Sequence, residues 1–137
     1  SDIFAWSGKV VGVYDGDTVK VLKGTKTEKV RLYGIDCPEI SQPFYQKARS
    51  FTSDKAFGKQ VEVVPVQEDK YGRVVGWVYI GDECLNKELV KNGLAWHYVY
   101  FAPHETELRL LEKEAREKRI NIWSQKKPQP PWEFRKQ

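Results

Sequence analysis

"VYDGDTVKV", residues 13–21, carries the first strand-turn-strand signal in the chain. Val13, Val19 and Val21 fall at strand spacing on either side of Asp15-Gly16. An Asp-Gly pair between alternating apolar residues suits a two-residue type I′ hairpin turn, which needs positive φ at both central positions. Asp17 follows at once, and a turn does not require a second carboxylate there.

Working outward, residues 9–14, 17–23 and 29–36 read as three strands. Val11, Val13, Val19 and Val21 alternate with smaller or polar positions, and Val30, Leu32 and Ile35 extend the apolar supply. Gly24 lies in the polar connection between the second and third. Ser41 reads as the N-cap of a helix with Pro43 in its first turn. Phe44, Ala48 and Phe51 share one face of that helix, and Gly58 ends it. Two further strands, 60–66 and 73–80, flank "EDKYGR". A short helix over 87–92 has Asn86 as N-cap, a Leu85–Val90 staple and Gly93 as its stop. Residues 94–100 read as extended. A last helix over 104–119 turns Leu108, Leu111 and Ala115 inward. The end, "SQKKPQPPWEFRKQ", holds three of the seven prolines and reads as irregular, extended like polyproline. Residues 1–124 thus form one domain and 125–137 a Pro-rich tail. The order implies an α+β, mainly β fold: a five-stranded Greek-key barrel of the oligonucleotide-binding type (OB-fold) with three helices. The alternative is an open α+β sheet.

With 137 residues, 40% of them apolar, the chain can build one proper core. No apolar run nears the roughly 20 residues of a membrane span. A net charge of +4 and 13% aromatic residues favour a polyanionic partner, because lysines and arginines release condensed counterions and rings stack on bases. The sequence contains no Met, so it reads as a processed mature form or a fragment, which fits a removed export signal and a secreted or periplasmic address, with a cytoplasmic one as the alternative. Cys37 and Cys84 are too few for a disulfide scaffold or a zinc site. One bridge, tying the turn at Cys37 to the barrel, and two free thiols both fit the sequence.

In "RLYGIDCPEI", residues 31–40, Asp36 stands at a strand end, Pro38 breaks the strand and Glu39 follows. Asp17, Asp36 and Glu39 therefore all sit at strand ends. Three converging carboxylates repel unless a cation or arginines compensate, and hard oxygen donors suit Ca²⁺ or Mg²⁺. An EF-hand is excluded: counted from Asp15, the sixth and twelfth positions are Lys20 and Lys26, where that loop needs Gly and Glu. Arg31 and Arg73 supply guanidinium forks that match phosphate oxygens. His97 and His104 read as structural or exposed residues.

"DGDT", "RLYGIDCPE", "DKYGR", "ELVKNGLA" and "INIWS", in that order between residues 9 and 124, resemble the staphylococcal-nuclease-like (thermonuclease) family. The resemblance implies the OB-fold barrel with three helices and a Ca²⁺-dependent phosphodiesterase that cuts DNA and RNA with little sequence preference, leaving 3′-phosphate ends. It implies Asp17, Asp36 and the backbone carbonyl of Cys37 as metal ligands. Some family members carry Thr at the position of Cys37. It implies Glu39 as the acid that orients or deprotonates the attacking water, and Arg31 and Arg73 as the grip on the scissile phosphate. Lys70 and Tyr71 match positions that contact a terminal phosphate, and Tyr98 and Tyr100 match a base-stacking strand. The loop after Glu39 is more compact than the lysine-rich loop of the type member. A monomer acting on DNA and RNA, single strands preferred and with no membrane association, is expected. The competing readings are a nucleic-acid-binding barrel without turnover and an interaction domain using the Pro-rich tail.

Overall fold

The computed structural model describes residues 4–137, so the first three residues of the expected 1–124 domain lie outside the described residues. Three consecutive antiparallel strands open the chain: β1 (Trp6–Asp15), β2 (Thr18–Lys23) and β3 (Lys26–Leu32). A two-residue strand β4 (Ile35–Asp36) precedes helix α1 (Tyr45–Ala56). Then come β5 (Gln60–Glu68), β6 (Val74–Ile80), β7 (Glu83–Cys84), α2 (Leu85–Lys91) and β8 (Trp96–His97). Helix α3 (Thr106–Lys118), a 3₁₀ turn (Asn121–Ser124) and the single helical turn α4 (Pro131–Phe134) complete it.

The main sheet runs β3-β2-β1-β5-β6-β7, and β3 also pairs with β6. That last pairing is parallel, Arg31 lying opposite Val75, and it closes five strands into a barrel. Closure removes the exposed edges an open sheet would carry. This is the mainly β, OB-type barrel expected from the element order, with four helices instead of three. Val10, Val19, Val21, Val30, Leu32, Val61, Val63 and Val78 are buried inside it. Burying each such side chain contributes about 1.5–3 kcal/mol. Ala48 and Ala56 of α1, Leu85, Leu89 and Val90 of α2 and Leu108 of α3 join the same core.

Several local expectations are corrected. Residues 29–36 are not one strand, because Gly34 takes φ +79 between β3 and β4. A Cβ there would stand 2.8 Å from Leu108 Cδ1, so the bend also needs the missing side chain. Ser41 does not cap α1. Pro43 disfavours helical backbone at Gln42, Phe44 sits at φ 72, and the helix begins at Tyr45. Asn86 is not a cap either. It lies inside α2, fully buried; its Oδ1 accepts the Val78 N–H at 3.0 Å, and its Nδ2 donates to the Tyr33 and Gly76 carbonyls at 2.9 and 3.1 Å. Gly93 does stop α2, at φ +67 with Leu94 N–H bonded back to Leu89 O. Of 94–100 only Trp96–His97 is strand. The tail is extended near Gln125 and Pro130, as expected, but then turns helical at Pro131.

Candidate functional site

The opening hairpin differs from the expected one in a way that places its acid. Asp15 pairs with Thr18, so the two loop residues are Gly16 and Asp17. Neither has positive φ, so the turn is not type I′. A register shift between Val13 and Asp15 makes Tyr14 the extra residue of a bulge, which moves the turn on by one. Gly16 is there for space: a Cβ would lie 3.0 Å from both Ala48 Cβ and Cys37 Sγ.

Helix α1 clamps this turn. Thr52 Oγ1 donates to Gly16 O at 2.6 Å, Tyr45 OH donates to Asp15 Oδ1 at 2.9 Å, and Arg49 donates to the Tyr14 and Val13 carbonyls. Asp15 is therefore occupied by α1, whereas Asp17 accepts the Cys37 N–H on Oδ2 at 2.8 Å and the Thr18 hydroxyl on Oδ1 at 3.2 Å. Thr52→Val keeps the shape but leaves the buried Gly16 carbonyl without this partner. Urea unfolding is expected to show a loss of about 1–3 kcal/mol; an unchanged midpoint would remove Thr52 from the support of the turn.

Asp36 is held by β4, which pairs with β8 through Asp36 and Trp96. It is 1% exposed, and Asp17 is 7% exposed. Arg31 joins them: its Nη2 lies 3.4 Å from Asp36 Oδ1 and 3.5 Å from Asp17 Oδ2, while Nη1 donates to Leu32 O at 2.8 Å. A second guanidinium arrives from the far end of the chain. Arg135 donates to Asp36 Oδ1 at 3.1 Å through Nη1 and to Asp36 Oδ2 at 3.0 Å through Nη2; Nη1 also reaches Glu39 Oε2 at 2.7 Å. The result is an alternating row, Asp17–Arg31–Asp36–Arg135–Glu39.

Among the described residues no three Asp, Glu, His or Cys side chains are arranged to hold a metal ion. The donor chemistry is of the kind a hard divalent cation takes. The acids offer oxygen only, two of them flank one arginine, and the gap between Asp36 and Glu39 already holds a positive charge. Cys37 enters this site through its N–H to Asp17.

Burial pushes the Asp36 carboxyl up to about 6, with the Asp17 charge adding to the rise and the Arg135 hydrogen bonds and both arginine charges opposing it. The native state then keeps this proton to higher pH than the unfolded chain, so this group's contribution to stability falls as pH rises from about 4 to 6. A ¹³C carboxyl titration of the cation-free protein is expected to place the Asp36 midpoint near 6. A midpoint at the ordinary value of about 4 would contradict the burial argument. Arg31 stays charged: burial alone would lower its affinity for the proton, but Asp17 and Asp36 raise it.

The remaining expected residues fall into two groups. Arg73 pairs with Asp69, Nε to Oδ2 at 2.6 Å, and makes no contact with the acid row. Lys70 and Tyr71 share its turn, where Asp69 Oδ1 accepts the N–H groups of Tyr71 and Arg73. Tyr98 does border the row: its OH accepts from Arg135 Nη2 at 3.1 Å. Its ring lies flat on Trp132, centroids 5.2 Å apart and planes 6° apart, and Tyr100 meets Trp132 edge-on at 5.8 Å. Tyr98, Tyr100, Trp132, Glu133, Arg135 and Lys136 line an open cleft of about 540 Å³. Both cysteines are free and buried, so the bridge between them does not form. His97 is structural, its Nε2 2.7 Å from Ala102 O, and His104 is exposed.

Arg135 and Trp132 had no place among the site residues expected from sequence. Arg135 lies 96 residues beyond Glu39, in a segment read as a tail. The available signal was Pro131 at the first helical position, with Trp132 and Arg135 three apart on one face of the turn it starts.

Residues 29–125 match the model of the family described as staphylococcal nuclease homologue. The chain is 38% identical over 145 residues to a micrococcal nuclease of Shigella flexneri, covering 96% of this chain and 83% of that protein. It is 36% identical over 141 residues to an uncharacterized endonuclease of Escherichia coli, covering 97% and 92% respectively. It is also 40% identical over 111 residues to the staphylococcal-like nuclease CAN1 of Arabidopsis thaliana, covering 81% of this chain and 34% of the plant protein.

Proposed function

This chain belongs to the staphylococcal nuclease homologue family, and from that premise we propose that it hydrolyses nucleic acids as a calcium-dependent phosphodiesterase. It cuts DNA and RNA with little sequence preference and leaves 3′-phosphate ends. The observation that supports this most is the pair of buried aspartates, Asp17 and Asp36, on either side of the Arg31 guanidinium. Asp17, Asp36 and the Cys37 carbonyl would hold Ca²⁺. When bound, that ion offsets the charge of a phosphate oxygen and so eases approach of a nucleophile.

The chain's own groups do the rest. Glu39, 35% exposed at its side chain, borders both the buried acids and solvent. It takes a proton from the attacking water, a role worth ~10²–10⁴ in rate. Arg31 is pinned by Leu32 O and the two aspartates, so its donors are set before substrate arrives. Such donors stabilise the charge that builds at phosphorus by about 3–4 kcal/mol. Arg73 stands one residue before β6, diagonal to Arg31 across the parallel β3–β6 pairing, and grips the same phosphate on leaving Asp69. Lys70 and Tyr71 receive the terminal phosphate, and Tyr98 and Tyr100 stack on bases. Ring faces accept any base, at about 1–3 kcal/mol each, and require it unpaired, which favours single strands.

Heat-denatured DNA incubated with the protein in Ca²⁺ or in chelator tests this. Fragments with 3′-phosphate ends in Ca²⁺ alone are expected. Intact DNA in a shifted gel band would make the protein a binder without turnover.

A further inference from the structure

The structure shows a chemical conflict at its own site: Asp36 and Glu39, which the nuclease reading needs free, are both engaged by Arg135. We infer that the C-terminal segment, residues 128–137, is a built-in competitor of substrate and cation, with Arg135 standing in for the ion and Trp132 for a stacked base. The inference rests on the proposed nuclease activity.

The segment is held at four points. Gln42 Nε2 donates to Gln129 O at 2.9 Å, next to the Glu39 loop. Trp132 meets Trp96 edge-on at 5.5 Å and joins the small cluster of Trp96, Ala115, Ile122 and Trp123. Phe134, half-buried, lines a cavity of about 190 Å³ with Pro38, Gln42 and Trp96. The fourth point is the Arg135 fork itself. The match of Trp132 to a base is geometric: its ring stacks on Tyr98 at 6°, the arrangement a nucleobase would adopt there. The match of Arg135 to an ion is electrostatic: it takes both Asp36 oxygens and one Glu39 oxygen, and a guanidinium does not give up its proton. While it stays, the Glu39 carboxylate is paired with a guanidinium and both Asp36 oxygens accept from it.

The test uses full-length Arg135→Gln, which leaves Trp132, Phe134 and the Gln42 clamp in place. Hydrogen bonds to a charged group contribute about 1.5–3 kcal/mol, so calorimetry is expected to show Ca²⁺ binding ~10–100-fold tighter than in the wild type. Trp132→Ala is expected to tighten binding of hexathymidylate, measured in chelator. Folded Arg135→Gln with unchanged or weaker Ca²⁺ affinity would overturn the inference, as would loss of cleavage at unchanged affinity, which would make Arg135 a substrate-gripping residue. In either case the nuclease reading stands if the wild type cleaves. Ca²⁺ bound by neither protein would overturn the inference and the calcium dependence of the proposed activity together.

A different face carries a second inference, which also rests on that activity. Lys20 and Lys29 lie directly opposite each other across β2 and β3, with no carboxylate partner among the described residues. Like charges so placed are destabilising. Their ammonium groups lie 5.6 and 4.5 Å from the ring of Tyr14, which is exposed. Lys29 and Arg31 alternate on one strand and so share its outer face. We propose that Lys20 and Lys29 bind backbone phosphates of the strand flanking the cleavage point. The double variant Lys20→Gln/Lys29→Gln is expected to lower the salt slope of twenty-nucleotide oligothymidylate binding by about 1.4, two single-strand phosphate contacts. The KM of a dinucleotide should not move. An unchanged slope, or an equal loss with both ligands, would overturn it.

Discussion

Glu39→Gln is expected to keep the fold and most of the affinity for single-stranded DNA while lowering turnover by ~10²–10⁴. The amide has the shape of the acid but cannot take a proton. The backbone of residue 39 is fixed independently of its side chain, since its N–H donates to Gln42 Oε1 at 2.9 Å. The change also removes one of the two charges that hold Arg135, while Asp36 keeps both of its contacts. A fall in turnover can therefore not be ascribed to a tighter grip by the tail. Single-turnover cleavage at saturating Ca²⁺, with circular dichroism and a gel shift in chelator, separates the effects. Turnover within about threefold of wild type would take Glu39 out of the chemistry.

Arg31→Lys is expected to lower turnover ~10²–10³-fold, the usual effect of removing one pre-set donor. Lysine keeps the charge that Asp17 and Asp36 require, so the fold survives. Arg31→Ala would be a poorer test, because two buried acids would lose their shared partner, a change that costs about 3–5 kcal/mol. What lysine cannot do is bond Leu32 O with one nitrogen and aim a second between the aspartates. Thermal unfolding close to wild type together with a large fall in kcat is the expected pair of results. Full activity in this variant would mean that the guanidinium fork is dispensable.

Much of this site was legible in the sequence because its parts are local. Val13, Val19 and Val21, with Val30 and Leu32 on the third strand, alternate with polar or small positions, and alternation fixes which side chains enter a barrel. Asp17, Arg31 and Asp36 fall at strand ends, and the structure brings those three together. Caps were less legible, since Asn86 has the chemistry of an N-cap but meets long-range partners on β6 and beside β3 instead. The turn was misplaced by one residue because a bulge at Tyr14 leaves no trace in the hydrophobic pattern. Arg135 was not legible at all. Nothing local in "PPWEFRKQ" states that Trp96 and Tyr98 form a platform for Trp132, so the tail's path back to Asp36 depends on contacts across the whole chain.

In the proposed nuclease, the acids around Arg31 serve one divalent ion on which cleavage depends. Calorimetric titration of Ca²⁺ into the wild type and into Asp17→Asn, with cleavage assayed on the same samples, tests it most directly. One bound ion per wild-type chain is expected, with loss of both binding and cleavage in the variant. Cleavage that persists in Asp17→Asn, or in chelator, would contradict it.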